Sequence, residues 1–198
     1  IPRLIKNCYF IFVLPFSSLA RVRGGRLVRS MSESIGEYFN YFAYGSNLLK
    51  ERIHVQITGA QFVCTGRLSN YELFFAGFGE RWKGAAASVR GKQGDEVWGC
   101  VWRVPNSFAA ELDKQENWYD RKKVTIETKA GEIVCRTYQM RDADGNENAP
   151  SPHYKLVIVR GAIEHDLPQA YMERLESVKD NGYRGPVQVP ISFLKSLM

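Results

Sequence analysis

Acidic residues are missing from the first thirty positions of this 198-residue chain, although the whole sequence contains 21 Asp and Glu beside 27 Lys and Arg. Six basic residues lie in that segment: Arg3, Lys6, Arg21, Arg23, Arg26 and Arg29. Residues 31–198 therefore hold 21 basic and 21 acidic side chains and have no formal net charge. Because a nucleic-acid-binding domain concentrates its basic excess on the folded surface, the sequence argues against nucleic acid as a partner.

The sequence also lacks a hydrophobic run of the roughly 20 residues that a membrane-spanning helix needs. The apolar stretch at 8–19 has twelve residues, so we expect no membrane partner. With Arg3 and Lys6 before it and Ser18-Leu19-Ala20 after it, this stretch is similar to the core of a signal peptide. The Arg-rich, acid-free segment as far as Ser30 also fits a transit peptide.

A third interpretation of the first thirty residues is favoured here. The chain begins with Ile1, Met31-Ser32-Glu33 would make an ordinary initiation site, and the charge balance begins there. We therefore expect 1–30 to be a disordered leader or a non-native extension of a cytoplasmic protein. Residues 31–198, in a chain with 44% hydrophobic and 13% aromatic residues, are predicted to form one domain.

Cysteine and histidine are scarce and scattered. The four cysteines, Cys8, Cys64, Cys100 and Cys135, form no C-x-x-C motif, and the three histidines have no metal-ligand spacing with them. Neither a zinc site nor a redox motif is predicted. We expect buried or partly buried thiols in a reducing compartment. No Ser-His-Asp or Cys-His arrangement can be assembled from the sequence.

Short strand-like segments punctuated by glycine occupy the middle of the chain. Strands are predicted at 38–44, 61–68, 71–76, 85–90, 96–104, 122–129 and 132–140. Frequent short strands with glycine turns indicate a small curved sheet or barrel. The helical signals lie between and after these strands, at 48–53, 107–115, 154–162 and 166–179. Mixed strands with few long helices predict an α+β fold.

The segment Tyr41-Phe42-Ala43-Tyr44-Gly45-Ser46-Asn47 is the first candidate for a functional role. It is a buried strand that stops at Gly45-Ser46 and turns into a helix that Ser46 or Asn47 can cap. Glycine lets the backbone approach a ligand, and the helix start leaves N–H donors for an anion or an oxyanion. The alternative is an ordinary strand-to-helix turn.

Glu116 is the second candidate. Phe108, Leu112 and Glu116 are four residues apart, so they share one side of a predicted helix, while Glu111, Asp113 and Lys114 point elsewhere. A carboxyl group on the core side, followed by Trp118, should be partly desolvated, which raises a Glu pKa toward the range of a general base. Alternatively, Glu116 turns into solvent or pairs with Arg121.

Tyr154 is the third candidate, in the segment Pro150-Ser151-Pro152-His153-Tyr154. Ser151 and Pro152 are typical of a helix start, and Tyr154 lies on the apolar face of that helix. Its hydroxyl can reach a cleft, although such a tyrosine is more often part of the core. His153 lies off the apolar face and is expected to be exposed.

Taken together, these segments resemble the gamma-glutamylcyclotransferase family, and the similarity covers roughly 38–180. The matching segments, in the family's order, are Tyr41 to Leu49 with Glu51-Arg52-Ile53-His54, Gly94 to Gly99, Leu112 to Glu116, Cys135 to Tyr138, Pro150 to Lys155 and Gly161-Ala162. The chain departs from the family at Asn117, where Gly is common. This departure lies in the loop beyond the helix and not at Glu116.

The resemblance implies a compact mixed β-barrel with flanking helices, often a homodimer, with no metal and no cofactor. It implies a lyase-type conversion of a gamma-glutamyl amino acid to 5-oxoproline and the free amino acid, a step of glutathione breakdown. By motif position Glu116 is the proton acceptor and Tyr154 contacts the substrate. The substrate site is lined by Tyr41, Phe42, Ala43, Tyr44, Gly45 and Ser46. A gamma-glutamylamine cyclotransferase, a glutathione-specific cyclotransferase and a catalytically silent ligand-binding relative remain as alternatives.

Overall fold

The computed structural model describes residues 37–195, so the predicted leader at 1–30 lies outside the described residues. The strands are β1 (Tyr38–Ala43), β2 (Gln61–Gly79), β3 (Gly84–Pro105), β4 (Tyr119–Thr128) and β5 (Gly131–Met140). The α-helices are α1 (Lys50–His54), α2 (Ala109–Gln115), α3 (Pro152–Glu164), α4 (Gln169–Ser177) and α5 (Ser192–Lys195). Short 3-10 helices at Ser46–Leu48 and Asn106–Phe108 precede α1 and α2.

The five strands close into a barrel in the order β1-β3-β2-β4-β5. Strand β1 pairs in parallel with β5, where Tyr41 lies opposite Arg136, and the other pairings are antiparallel. The pairing of β2 with β4, where Arg67 lies opposite Glu127, completes the closure. The predicted α+β fold, a small mixed β-barrel with flanking helices, is confirmed.

Two of the predicted strand pairs are in fact single long strands. The segments predicted at 61–68 and 71–76 both belong to β2, and those at 85–90 and 96–104 both belong to β3. Register shifts, one of them between Ser69 and Tyr71, interrupt the pairing without ending the strands. Asn70 adopts a φ of 61° at this point. Such bulges bend a strand, so polar residues that look like a break in the sequence continue the sheet.

Helix α3 starts as the sequence predicts. The Ser151 hydroxyl accepts a hydrogen bond from the Tyr154 backbone N–H at 3.2 Å, and Pro152 occupies the first turn. Its predicted apolar face is buried, and a Cβ on Gly161 would lie 2.5 Å from the backbone nitrogen of Leu49. This contact presses α3 directly against the 3-10 helix at Ser46–Leu48.

The start of the first helix differs from the prediction. No side chain caps either Ser46–Leu48 or α1. Asn47 is buried, and its side-chain amide forms hydrogen bonds with Tyr41 and Gln115 instead. The competing tertiary contacts therefore replace the local cap. The short helix α5 is likewise absent from the sequence predictions.

The described cysteines are free thiols, as expected. Cys64 is half-buried and Cys100 is buried, and burial raises the pKa of Cys135 to about 12. Within residues 37–195, no helix is long and apolar enough to cross a membrane. The same part of the chain contains no group of three or more His, Cys, Asp and Glu side chains that could hold a metal ion.

Candidate active site

A tight turn follows β1 and forms one wall of a cavity of about 530 Å³. Gly45 has φ −106° and ψ −142°, and the Leu48 N–H donates to the Gly45 carbonyl at 2.9 Å. A Cβ on Gly45 would lie 3.2 Å from the Tyr154 hydroxyl oxygen and 3.4 Å from the Cβ of Ala87. Glycine thus allows the turn to pack closely against Tyr154.

Glu116 faces this turn from the end of α2. Its backbone N–H donates to the Leu112 carbonyl at 3.0 Å, which completes the last turn of the helix. Its Oε1 accepts hydrogen bonds from Asn47 Nδ2 and from Gln115 Nε2, both at 3.3 Å. Helix α2 and the turn after β1 therefore bring the first two candidate segments into contact.

The Glu116 carboxyl is half-buried, and the desolvation predicted from sequence is confirmed. Burial raises its pKa to about 7, while the positive charge of Arg52 and the hydrogen bond from Gln115 oppose this rise. The alternative pairing with Arg121 is wrong, because Arg121 lies 3.6 Å from Asp113 instead. Glu116 can therefore exchange a proton near neutral pH.

Buried tyrosines surround the carboxyl group. Tyr41 accepts a hydrogen bond from Asn47 Nδ2 at 3.1 Å, and Tyr44 donates to the Tyr138 carbonyl. Burial raises the pKa of Tyr41 and of Tyr44 well above the usual value, and the nearby Glu116 charge adds to both shifts. These phenols stay neutral over the range in which Glu116 titrates.

Tyr154 contributes a hydroxyl to the same cavity. Its oxygen accepts a hydrogen bond from the Ala87 backbone N–H at 3.1 Å, and the ring packs edge-on against Trp82. Tyr119 donates to the Ala87 carbonyl at 2.9 Å, so tyrosine hydroxyls bind both the N–H and the carbonyl of Ala87. Burial raises the pKa of Tyr154 to about 12.

Curated proteins related to this chain share most of its length. Gamma-glutamylcyclotransferase of Mus musculus is 45% identical over 161 residues, which cover 77% of this chain and 85% of the mouse protein. This chain belongs to the gamma-glutamylcyclotransferase family. Gamma-glutamylcyclotransferase of Homo sapiens is 41% identical over 164 residues, which cover 78% and 86% of the two chains.

Solved structures agree with this family membership. A structure named gamma-glutamyl cyclotransferase superimposes with a TM-score of 0.75 at 38% identity, and the match covers 81% of this chain and 98% of that one. The sequence pattern of the AIG2-like family matches residues 96–175. The matched segment includes Glu116, and the turn after β1 lies before it.

Most residues that the gamma-glutamylcyclotransferase resemblance assigns to the site line this cavity. They are Tyr41, Tyr44, Gly45, Ser46, Glu116 and Tyr154. Phe42 and Ala43 are buried but do not line the cavity. Successive strand residues point to opposite faces of the sheet, so Phe42 faces away from Tyr41.

Three sequence expectations about neighbouring side chains need correction. Glu111 and Lys114 line the cavity, although the helical spacing directed them elsewhere, because the cavity extends around the end of α2. His153 is buried with 6% of its surface exposed, and its ring lies 6.1 Å from that of Tyr183. The segment after α4 covers it, which the helix pattern alone does not reveal.

Two polar residues of the site carried no recognised signal in the sequence. The sequence predicts Asn47 as a possible helix cap and places Arg52 in a segment that resembles the family, but it assigns neither residue a role in the site. Both are buried at 3% exposure and line the cavity. A buried Arg is rare unless it is paired, so hydropathy patterning gives no warning of it.

Proposed function

We propose that this protein is a gamma-glutamylcyclotransferase that converts a gamma-glutamyl amino acid to 5-oxoproline and a free amino acid. The observation that carries the proposal is the half-buried Glu116 carboxyl, 3.3 Å from Asn47 in the turn after β1. Its pKa of about 7 suits a group that accepts and returns a proton near neutral pH. Family membership supports the same reaction.

Glu116 is the proton acceptor in this proposal. The alpha-amine of the substrate attacks its own gamma-carbonyl carbon, which closes a five-membered ring. An alpha-amino group has a pKa near 8, so much of it is protonated at neutral pH and must lose a proton before it attacks. Glu116 takes that proton and returns it to the leaving nitrogen as the amide C–N bond breaks. The ring nitrogen also loses its second proton, and the departing amine gains it and leaves as an ammonium ion. One carboxyl group thus performs both transfers in sequence.

The turn after β1 supplies the donors for the developing oxyanion. Negative charge collects on the gamma-carbonyl oxygen during ring closure, and Gly45, Ser46 and Asn47 line the cavity. Such a donor contributes about 3 kcal/mol to transition-state stabilisation in other enzymes. Nucleophile and electrophile belong to one molecule, so the remaining walls mainly hold a folded-back conformer.

We also propose that Tyr41, Tyr44, Gly45 and Ser46 line the substrate site and that Tyr154 contacts the substrate. The support is that these four residues, together with Tyr154, line the cavity beside Glu116. A cytoplasmic location is supported by the free thiols Cys64, Cys100 and Cys135, which suit a reducing compartment. A homodimer and a role in glutathione breakdown rest on the family resemblance.

Turnover of three substrates by the purified chain tests the proposed function. Gamma-glutamyl-alanine, glutathione and gamma-glutamyl-lysine are each incubated with the protein, and 5-oxoproline is measured by liquid chromatography. We expect the highest kcat/KM with gamma-glutamyl-alanine. Preference for gamma-glutamyl-lysine would identify a gamma-glutamylamine cyclotransferase, and preference for glutathione a glutathione-specific enzyme. No turnover of any of the three would contradict the proposal and favour a silent relative.

A further inference from the structure

Arg52 is a buried cation without an acidic partner. It lies in α1 with 3% of its surface exposed, and it lines the cavity that contains Glu116. Its Nε is buried and has no hydrogen-bond partner in residues 37–195, and Nη1 donates a long bond of 3.4 Å to Gln56 Oε1. None of the salt bridges in residues 37–195 includes Arg52. Burial of an unpaired guanidinium is costly, so its retention here calls for an anion.

Glu116 does not fill that role. The negative charge of Glu116 acts on Arg52, and Arg52 in turn opposes the rise in the pKa of Glu116. The two side chains are close enough to interact electrostatically but do not form an ion pair within the described structure. Both side chains line the same cavity, so a small charged group bound there can lie near the proton acceptor and the guanidinium.

We propose that Arg52 binds the alpha-carboxylate of the gamma-glutamyl group. This inference rests on the proposed function. In that substrate the amine and the carboxylate are attached to the same carbon atom. If the amine faces Glu116, the carboxylate must lie beside it, where Arg52 is the buried donor. A guanidinium matches the two oxygens of a carboxylate geometrically.

Other cations on the cavity wall are less suited to this role. Arg81 and Lys114 also line the cavity, but both are solvent-exposed. An exposed charge is screened by water and contributes little to binding, whereas a desolvated one contributes more. Arg52 is the third residue of α1 and is buried, which distinguishes it from these two side chains.

Binding of a carboxylate at Arg52 would also affect the proton acceptor. The free guanidinium favours the ionised form of Glu116. A bound carboxylate neutralises that charge, so Glu116 becomes a stronger base while the substrate is present. Recognition of the substrate and activation of the base are thereby linked through one side chain.

A pair of substrates tests this assignment in the 198-residue chain. Gamma-glutamyl-alanine carries the alpha-carboxylate, whereas 4-aminobutyryl-alanine has the same amine and carbonyl without it and closes to 2-pyrrolidinone and alanine. The kcat/KM for each is measured for the wild type, Arg52→Met, Arg52→Lys and the control Arg103→Met. Arg103 is an exposed arginine in β3 that does not line the cavity.

The readout is the ratio of the two kcat/KM values in each protein. We expect the ratio in favour of gamma-glutamyl-alanine to fall on the order of 100-fold in Arg52→Met, the usual loss for a hydrogen-bonded charge pair. Arg52→Lys should retain part of the preference for gamma-glutamyl-alanine, and Arg103→Met should retain all of it. An unchanged ratio in Arg52→Met, even with slower turnover of both substrates, would show a purely structural role and overturn the inference.

Binding of the reaction products provides a second arm if Arg52→Met does not fold. Calorimetry on the wild type compares 5-oxoproline, which carries the carboxylate, with 2-pyrrolidinone, which lacks it. We expect 5-oxoproline to bind on the order of 100-fold more tightly, and Arg52→Lys to narrow that difference. Equal affinities in the wild type would overturn the assignment. If the wild type binds 5-oxoproline but turns over no substrate, the proposed function fails and the carboxylate site stands.

Discussion

Asn47 Nδ2 donates a hydrogen bond to Glu116 Oε1 at 3.3 Å, although 69 positions separate the two residues. The same nitrogen donates to the Tyr41 hydroxyl at 3.1 Å, and Asn47 Oδ1 accepts from Gln115 at 3.2 Å. One amide thus connects β1, the turn that follows it and the end of α2. We interpret Asn47 as the residue that positions the carboxyl group relative to the turn.

Asn47→Ala tests this positioning. Loss of the amide frees the Glu116 side chain to rotate, and a displacement of about 1 Å can reduce a rate by 100-fold. We expect kcat/KM for gamma-glutamyl-alanine to fall by about that factor. The control Asn40→Ala removes an amide of β1 that makes only a long 3.5 Å bond to the Val134 carbonyl. Equal activity in the two variants would show that the contact has no role in positioning.

Tyr154→Phe should change substrate binding more than the chemical step. The hydroxyl lies in the cavity wall, so we expect KM to rise about tenfold, the loss of one hydrogen bond, with a smaller change in kcat. The Ala87 N–H also loses its acceptor, which costs about 1–3 kcal/mol in a buried position.

Steady-state kinetics and thermal unfolding measure these two effects of Tyr154→Phe. Tyr183→Phe is the matched control, because it removes an exposed hydroxyl that donates to the Pro186 carbonyl at 3.0 Å. Its melting temperature should change less. A loss confined to kcat in Tyr154→Phe would mean that its hydroxyl takes part in the reaction and that its assigned role is wrong.

Gly161→Ala should destabilise the fold and the turn together. The added Cβ would lie 2.5 Å from the Leu49 nitrogen and 2.6 Å from the Leu48 Cβ, so α3 must move away from the 3-10 helix. We expect a loss of about 1–3 kcal/mol in the free energy of unfolding, the usual cost of overpacking. Gly91→Ala meets no atom within 4 Å and should be nearly neutral. Urea denaturation of both variants tests the difference, and equal midpoints would contradict the packing argument.

The raised pKa of Glu116 predicts a pH-dependent cost to stability. The folded chain keeps this proton up to about pH 7, whereas an unfolded Glu releases it near pH 4.3. Between these pH values the folded state binds more protons, so the free energy of unfolding falls as the pH rises. With allowance for the half-exposed side chain, we expect this loss to be about 2 kcal/mol.

Glu116→Gln has no ionisable group at this position, so its free energy of unfolding should not fall with pH in this way. Urea denaturation of both proteins at pH 5 and pH 8 measures it. Between pH 5 and pH 8 we expect the free energy of unfolding of the variant to increase by about 2 kcal/mol relative to that of the wild type. Parallel pH dependence in the two proteins would mean that the carboxyl group is not desolvated.

Local signals account for the parts of the fold that sequence predicted well. The start of α3 depends on Ser151 and Pro152, and β1 ends at the glycine turn, so neighbouring residues suffice for both. The desolvation of Glu116 also followed from helical spacing. The merging of segments into β2 and β3 did not, because bulges depend on pairing with a distant strand.

Burial of polar side chains is the part of the site that sequence reasoning missed. Asn47 has the chemistry of a helix cap, and only the folded chain brings Tyr41 and Gln115 close enough to compete for its amide. Arg52 lies between Glu51 and Ile53 in the short helix α1, and its burial depends on packing around the cavity. A local pattern cannot distinguish such residues from solvated ones.

Turnover by Glu116→Gln is the most direct measurement of the proposed role of this carboxyl group. Gln keeps the size and can still hydrogen-bond Asn47, but it cannot accept a proton. We predict that kcat for gamma-glutamyl-alanine falls by about two to four orders of magnitude in a folded protein. The exposed Glu132→Gln serves as the control and should retain wild-type turnover. Near-normal kcat in Glu116→Gln would contradict the account.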